Sequence, residues 1–417
     1  MMTKPNMHEQ LAVLSFGLLA ILQSHAAPVV WTNTSGGNWN VAANWSPPQV
    51  PGTGDNAIIT NNGTYTVTLD TSPTLASLTL GGASGVQMLA VNGYALTLDA
   101  LSTVGTNAVV NFNGGIIAGS GEFIVNGALN WAGGQISSVG GVTANGTLLV
   151  SGGNTKFLRG GVLRNGGAAQ WTQGSLYVDG GGTLSNRLGG TFDVAFDGTV
   201  GYSSGAAGAV YNAGLWRKSG GTNVASINIP FHNGGTLSLW QGTLNFALAP
   251  TLSQTGTIEF ALAGVSYPSG CGRVTTSQPL QLAGRLEVTF RNGFIPGPGL
   301  QYDVVAAPIL GQVQSFTAPV ISPYVFINPV HKPNLVQLVT TDPTPLVTGM
   351  PSFDAQKRVV LNIQGIVNQR YAVAATTNFV SWLGLQTNTI PVSTIWQFVD
   401  TDSATLRCRF YRVMFLP

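Results

Sequence analysis

Charge is what this sequence has least of. Only 8% of its 417 residues are Asp, Glu, Lys or Arg, about a third of the usual share. The net charge is +2, and a nucleic-acid surface, which needs clustered Lys and Arg, is not expected. Cysteine is nearly absent too. Cys271 and Cys408 are the only two, and they fall in segments read as different modules. A disulfide between them is not required, so stability must come from packing and backbone pairing. With His232 and His331 the only histidines beyond the N-terminal leader, no structural zinc spacing exists. Calcium loops, a phosphate-binding P-loop and a dinucleotide fingerprint are missing as well. No cofactor or metal is expected. After residue 22 no apolar run approaches the ~18 residues of a membrane helix, and no convincing amphipathic helix follows. Collagen is excluded, because the 55 glycines keep no three-residue period.

Apolar residues, by contrast, make up 44% of the chain. That is enough for a large core, and the length suggests two or three domains. The first apolar stretch, LAVLSFGLLAIL from Leu11, follows Lys4 and precedes Ser24-His25-Ala26. A charged start, a short apolar run and a small-residue site read as a signal peptide over 1–26. The expected location is therefore secreted or cell-surface, by the Sec pathway, with no transmembrane segment left after cleavage.

Beyond the leader, short runs rich in Val, Thr, Leu and Phe alternate with Gly-Gly and Asn-Gly turns, a strand signal throughout. Asn107, Asn126, Asn145, Asn165, Asn186, Asn212 and Asn233 are spaced by 19, 19, 20, 21, 26 and 21 residues. Self-similarity near twenty residues marks a solenoid. The fold class expected is all-β: a parallel β-helix, or β-solenoid, with β caps and a small C-terminal β-sandwich domain. Asn and Gly suit the left-handed turns, and Asn at equivalent turns would stack into a structural hydrogen-bond ladder. A run of antiparallel sandwiches would explain the composition but not the long regular period.

Solenoid ends need caps, because open edges invite pairing with other chains. The segment 27–70, with Trp31, Trp39 and Trp45, reads as the N-terminal cap, and 71–265 as the repeats. The Asn register fades over 266–341, read as a C-terminal β cap. A Pro- and Thr-rich linker spans 342–351, and 352–417 forms the sandwich. Trp382, Phe410 and Tyr411 are expected in its core, with Arg407 and Arg409 protecting an edge strand.

The opening WTNTSGGNWNVAANWSPPQVPGTGDNA, the units AVYNAGLWRKSGGT and FHNGGTLSLWQGTLNF, and the pair GRLEVTFRNGFIPGPGLQYDVV resemble large secreted bacterial β-helix proteins of the autotransporter- or adhesin-like kind. QRYAVAATTNFVSWLGLQTNT with FVDTDSATLRCRFYRV is similar to a small β-sandwich found on many of them. The resemblance implies the solenoid with a terminal module. It implies no catalytic residues.

The chemistry on offer is sparse. Glu122, Asp179, Asp193 and Asp197 are the only acids in the repeats from Asn107 to Phe246. If one strand runs straight through TFDVAFDGT, Asp193 and Asp197 share its face about 13 Å apart, too far for a glycosidase pair. Lys156, Arg159, Arg164, Arg187, Arg217 and Lys218 could line a basic face toward acidic glycans, or simply solubilise the surface. Gly201-Tyr202-Ser203-Ser204-Gly205 matches a nucleophile elbow but lacks its helix and partners. Asp55 reads as ordering its own turn. Trp131, Trp171, Trp216 and Trp240 read first as core or coil-corner residues. As an exposed row they would be candidate glycan-stacking positions. The expected function is an extracellular structural or adhesin-like surface contacting a cell surface, matrix or glycan. The alternative is a polysaccharide-binding or polysaccharide-cleaving β-helix, and the candidate partner is a polysaccharide or cell-surface glycan. The oligomeric state is left open.

Overall fold

The computed structural model describes residues 27–319, 321 and 325–416; the signal-peptide segment lies outside them. The chain winds into a parallel β-solenoid of about ten turns, followed by two small sheets. Each coil has three strands. In one coil these are Val162–Asn165, Ala168–Trp171 and Leu176–Asp179, after which Thr183–Asn186 stacks in parallel on Val162–Asn165. The first face is thus a long parallel sheet from Pro28–Trp31 to Thr251–Leu252. The second and third faces join where Gln87–Leu98 and Val109–Ala118 run round a corner without a break. Gly115 makes that corner possible. Its φ is +89°, and a Cβ there would fall 2.0 Å from the Tyr94 carbonyl oxygen, so only glycine fits.

Alternation within each strand sends one set of side chains inward. Because the stacking is in register, inward positions form columns along the axis. On the second face one column runs Phe112, Trp131, Val150, Trp171, Val194, Lys218, Leu239, Phe260. Every member is buried. Each apolar member contributes about 1.5–3 kcal/mol by leaving water. Phe192 and Trp216, one column over, stack at 4.3 Å between ring centres.

The parallel register extends further at both ends than the sequence suggests. Pro28–Trp31, Asn56–Ile59 and Tyr65–Leu69 already stack on later coils, inside the segment expected as cap. The N-terminal cover is Trp45–Ser46, which lies antiparallel on Trp31 and Val30. Its Trp45 ring packs edge-on against Trp31 at 5.0 Å and Trp39 at 4.7 Å. At the other end Arg285–Phe290 and Gln301–Ala306 each add a parallel rung rather than pairing together as a closing hairpin. Closure comes later: Leu335–Thr341 runs antiparallel to Gln301–Ala306, and Phe326–Lys332 antiparallel to Leu335–Thr341.

The C-terminal module is a sandwich of two antiparallel sheets. Val359–Gln364 is flanked by Ile395–Asp400, Ser352–Phe353 and Leu346–Val347, so the expected linker supplies one of its strands. Arg370–Thr376 lies between Leu383–Thr389 and Phe410–Leu416. Leu361, Ile363, Tyr371, Val373, Ile390, Trp396 and Phe398 form the core. Trp396 takes the central place expected of Trp382, which is half-buried beneath the Arg412 guanidinium. Phe410 is exposed and stacks on exposed Phe379, while Tyr411 is half-buried against the core. Arg409 is no surface guard. It precedes the last strand and donates from Nη1 to both oxygens of buried Asp400 at 2.7 and 2.9 Å.

Candidate functional surface

The seven aligned asparagines do not form one ladder. Asn165, Asn186, Asn212 and Asn233 do stack, each Nδ2 donating to the next Oδ1 at 2.8, 2.8 and 2.7 Å. All four are buried, pointing into the solenoid at the turn between the first and second faces. Each amide also donates to a backbone carbonyl of the following coil: Thr191, Leu215, Thr236 and Thr257. Buried amides of this kind are stable only when so satisfied. Asn126 and Asn145 sit one position later, on the outside, and form a separate exposed pair at 2.9 Å. Register explains the shift, because the residue stacking beneath Asn165 is Ala144, preceded in the column by Val125. Asn107 is an exposed turn residue in the Val104 coil, three coils before that column begins its amides, and it takes no part.

The tryptophans divide as sharply. Trp131, Trp171 and Trp216 are 0%, 1% and 0% exposed, so they cannot stack on a sugar. They are inward knobs of the second face. Trp171 Nε1 donates to the Gln173 carbonyl at 3.1 Å, while Trp131 and Trp216 bury their N–H without a partner among the described residues. Trp240 alone of the four reaches the surface. It follows the inward Leu239 and sits where the second face turns toward the third. The Arg217 and Arg291 guanidinium carbons lie 4.5 and 3.5 Å from its ring centre, a cation–π geometry. Burial, and then the charge of Arg217, lowers the Arg291 pKa below its ordinary value.

Around this ring the outward column of the second face carries Gln170, Asp193, Arg217, Ser238 and Glu259 in register. Arg217 Nε donates to Asp193 Oδ1 at 3.0 Å, and Glu259 accepts from Thr289 at 2.7 Å. A shallow groove of about 340 Å³ runs beside them, lined by Leu149, Gln170, Thr191, Asp193 and Arg217 among others. Sequence spacing could have paired Arg217 with Trp240, since they stand about one coil apart. Arg291 was hidden by the longer coil that separates it.

The acids of the repeats do not converge. Asp179 is buried and accepts from Arg159 Nη2 at 2.9 Å and from Ser203 N and Oγ at 2.7 Å. Burial alone would raise its pKa, but those hydrogen bonds and the Arg159 charge hold it below the ordinary value. Ser203, centre of the G-x-S-x-G match, is therefore a donor tying a loop to Asp179. Asp193 is taken by Arg217 and Asp197 by Lys218 at 2.8 Å. Glu122 accepts from Thr143 and faces Arg164 at 3.7 Å. Asp55 accepts from the Gly52 amide at 3.0 Å, ordering its own turn.

Two lysines expected at the surface point inward instead. Lys156 and Lys218 are fully buried. Lys156 Nζ donates to the carbonyls of Gly152 and Gln173, joining turns of adjacent coils. Burial pulls its pKa down to about 8. Lys218 Nζ donates to Asp197 and to the carbonyls of Gly220 and Gly221; burial lowers its pKa while Asp197 partly opposes. Cys271 is buried and Cys408 exposed, both free thiols. Among the described residues no helix is long and apolar enough to cross a membrane, and no group of three or more metal-ligating side chains gathers. No protein-family model matches this chain, and no curated protein matches it.

Proposed function

We propose that this protein is an exported, adhesin-like display scaffold whose second face contacts a glycan or cell surface. The observation that carries this reading is Trp240, a half-buried ring held beneath Arg217 and Arg291 at the edge of the second face. An aromatic ring with guanidinium donors offers both faces of a sugar contact: apolar C–H surface and hydrogen bonds to hydroxyl or acidic groups. The rigid in-register coils would repeat weak contacts along their length, and many weak contacts add through effective concentration. The scaffold is consistent with its acids being committed to ion pairs and turns rather than facing each other across a cleft. Export by the Sec pathway belongs to the same proposal, with cleavage after Ala26.

The test is retention of the protein on immobilised acidic and neutral polysaccharides, with the eluate assayed for new reducing ends and unsaturated sugars. Retention without product, weakened about tenfold or more by Trp240→Ala, is the expected result. Unchanged retention of that variant would remove Trp240 from the contact. Released sugar would replace the display reading with a cleaving enzyme. Export is checked by the N-terminal sequence of protein recovered outside the cell, expected to begin at Ala27.

A further inference from the structure

A second polar cavity lies at the C-terminal end of the solenoid, on the third face. It measures about 250 Å³ and is lined by Tyr267, Cys271, Arg273, Tyr302, Asp303 and Gln337, with Gln301 beside them. Its wall is an ordered network. Gln337 Nε2 donates to Asp303 Oδ1 at 2.6 Å, and Lys332 Nζ donates to Gln337 Oε1. Arg273 Nε donates to the Asp303 carbonyl at 2.8 Å, and its Nη2 stands 3.8 Å from Asp303 Oδ2. The same guanidinium covers the Tyr267 ring at 4.3 Å, while Tyr267 Oη shares a hydrogen bond of 2.7 Å with Thr243.

One group is left over. Tyr302 is 2% exposed, and its hydroxyl has no hydrogen-bond partner among the described residues. Leaving such a group unpaired costs about 1–3 kcal/mol, a cost the fold could avoid with phenylalanine. Among the described residues Nη1 and Nη2 of Arg273 also make no hydrogen bond. The open donors are therefore the Arg273 Nη groups and the Tyr302 hydroxyl, which can also accept; Asp303 Oδ1 is engaged by Gln337, and its Oδ2 is faced by Arg273 at 3.8 Å. Counting Arg273, Lys332 and Asp303, the cluster carries one net positive charge. Burial, and then the neighbouring Cys271, pushes the Tyr302 pKa up to about 12, so the phenol remains a donor across the neutral range.

We propose that this cavity binds a carboxylate carried on a single sugar ring, as in a uronate unit of an acidic polysaccharide, with Arg273 and the Tyr302 hydroxyl as its donors. Guanidinium and phenol donors answer carboxylate oxygens. The volume lies below the roughly 300–1,000 Å³ of sites for larger ligands, which limits the occupant to about one ring. The polar lining suits a hydroxylated rather than an apolar body. The proposal extends the glycan reading above, resting on it for the choice of a sugar. It uses different residues, so the two can fail separately.

The experiment is a calorimetric or NMR titration of the full chain with D-glucuronate, D-glucose and acetate. Glucuronate is expected to saturate in the millimolar range, with glucose and acetate each at least about tenfold weaker. Arg273→Gln should abolish the binding. Tyr302→Phe should weaken it about tenfold while leaving the melting temperature equal or higher, because it deletes an unpaired buried hydroxyl. Trp240→Ala should bind glucuronate as the wild type does, even if it loses polysaccharide retention. Glucose binding as well as glucuronate would overturn the carboxylate assignment. Acetate binding equally well would overturn the sugar assignment. A Tyr302→Phe variant that binds like the wild type would overturn the role of the phenol.

Discussion

Asn186 Nδ2 donates to Asn212 Oδ1 at 2.8 Å although the two residues stand a whole coil apart. The same amide donates to the Gly190 and Leu215 carbonyls. One side chain therefore ties its own turn to the strand above and to the next rung. Asn186→Ala should lower stability by about 1–3 kcal/mol, because it strands buried acceptors. The exposed pair offers the control: Asn145→Ala should cost no more than about 0.5 kcal/mol. Denaturant midpoints of the two variants decide the matter. Equal losses would mean that burial of the ladder contributes nothing.

The ladder also has an unfinished end. Asn165 Oδ1 is buried without a donor among the described residues, and the residue stacked beneath it is Ala144. Ala144→Asn should place an Nδ2 where that oxygen needs one and raise stability by about 1 kcal/mol. A lower melting temperature would show that the Ala144 turn has no room for the larger side chain.

Lys156 predicts a pH dependence whose sign can be worked out. Its folded pKa, about 8, lies below the ordinary lysine value of 10.5. Below pH 8 the amine is protonated in both states, and the folded state bears the full cost of burying that charge. Between about pH 8 and 10.5 the unfolded chain binds more protons, so this residue makes stability rise with pH. The whole effect is on the order of 3 kcal/mol. Lys156→Met should be relatively more stable at pH 7 than at pH 10. Unfolding curves at the two pH values give the comparison, and a pH-independent difference would refute it.

Trp216 and Trp240 should respond oppositely to truncation. Trp216→Ala removes a fully buried ring stacked on Phe192 and should cost about 3–5 kcal/mol. Trp240→Ala should cost far less and act on glycan retention instead. Trp216→Phe should be milder than Trp216→Ala, since it also removes the unpartnered Nε1–H. Thermal melts beside the retention assay separate the two roles.

In the sandwich, Asp400 receives Arg409 and the Tyr411 hydroxyl, the latter at 2.7 Å. The ion pair is nearly closed to solvent, with side-chain exposures of 8% and 3%. Asp400→Asn should destabilise the module by about 3–5 kcal/mol, because it leaves a buried guanidinium without its charge partner. The near-ultraviolet signal of Trp396 reports this unfolding. An unchanged melt would show that Arg409 finds water instead.

The period of the turns made the solenoid legible, because a coil that must stack on its neighbour cannot vary its length freely. What the period could not give was phase. Asn145 and Asn165 look equivalent beside their glycines, yet one points out and the other in, because a single residue of offset reverses a side chain. The same ambiguity made Lys156 and Lys218 look like surface charges; lysine rarely takes an inward position, and the carbonyls that receive them belong to turns far off in sequence. Trp131, Trp171 and Trp216 read first as core or coil-corner residues, and the columns show them pointing inward. Tyr302 gave no sequence signal, since its distinction is a missing partner.

The asparagine ladder has a direction. From Asn165 to Asn233 each of the three side-chain hydrogen bonds runs from an Nδ2 to the Oδ1 of the next rung toward the C-terminal end, so the amide dipoles add along the axis as peptide dipoles do in a helix. Such a column has a head and a tail. A coil copied and inserted in the same orientation would find an acceptor on one side and a donor on the other, and the column would close over the join. A reversed coil would bring donor against donor. Lengthening by whole-coil duplication is thus the change this architecture accepts most easily, and the polarity of one side-chain column keeps each added turn pointing the same way.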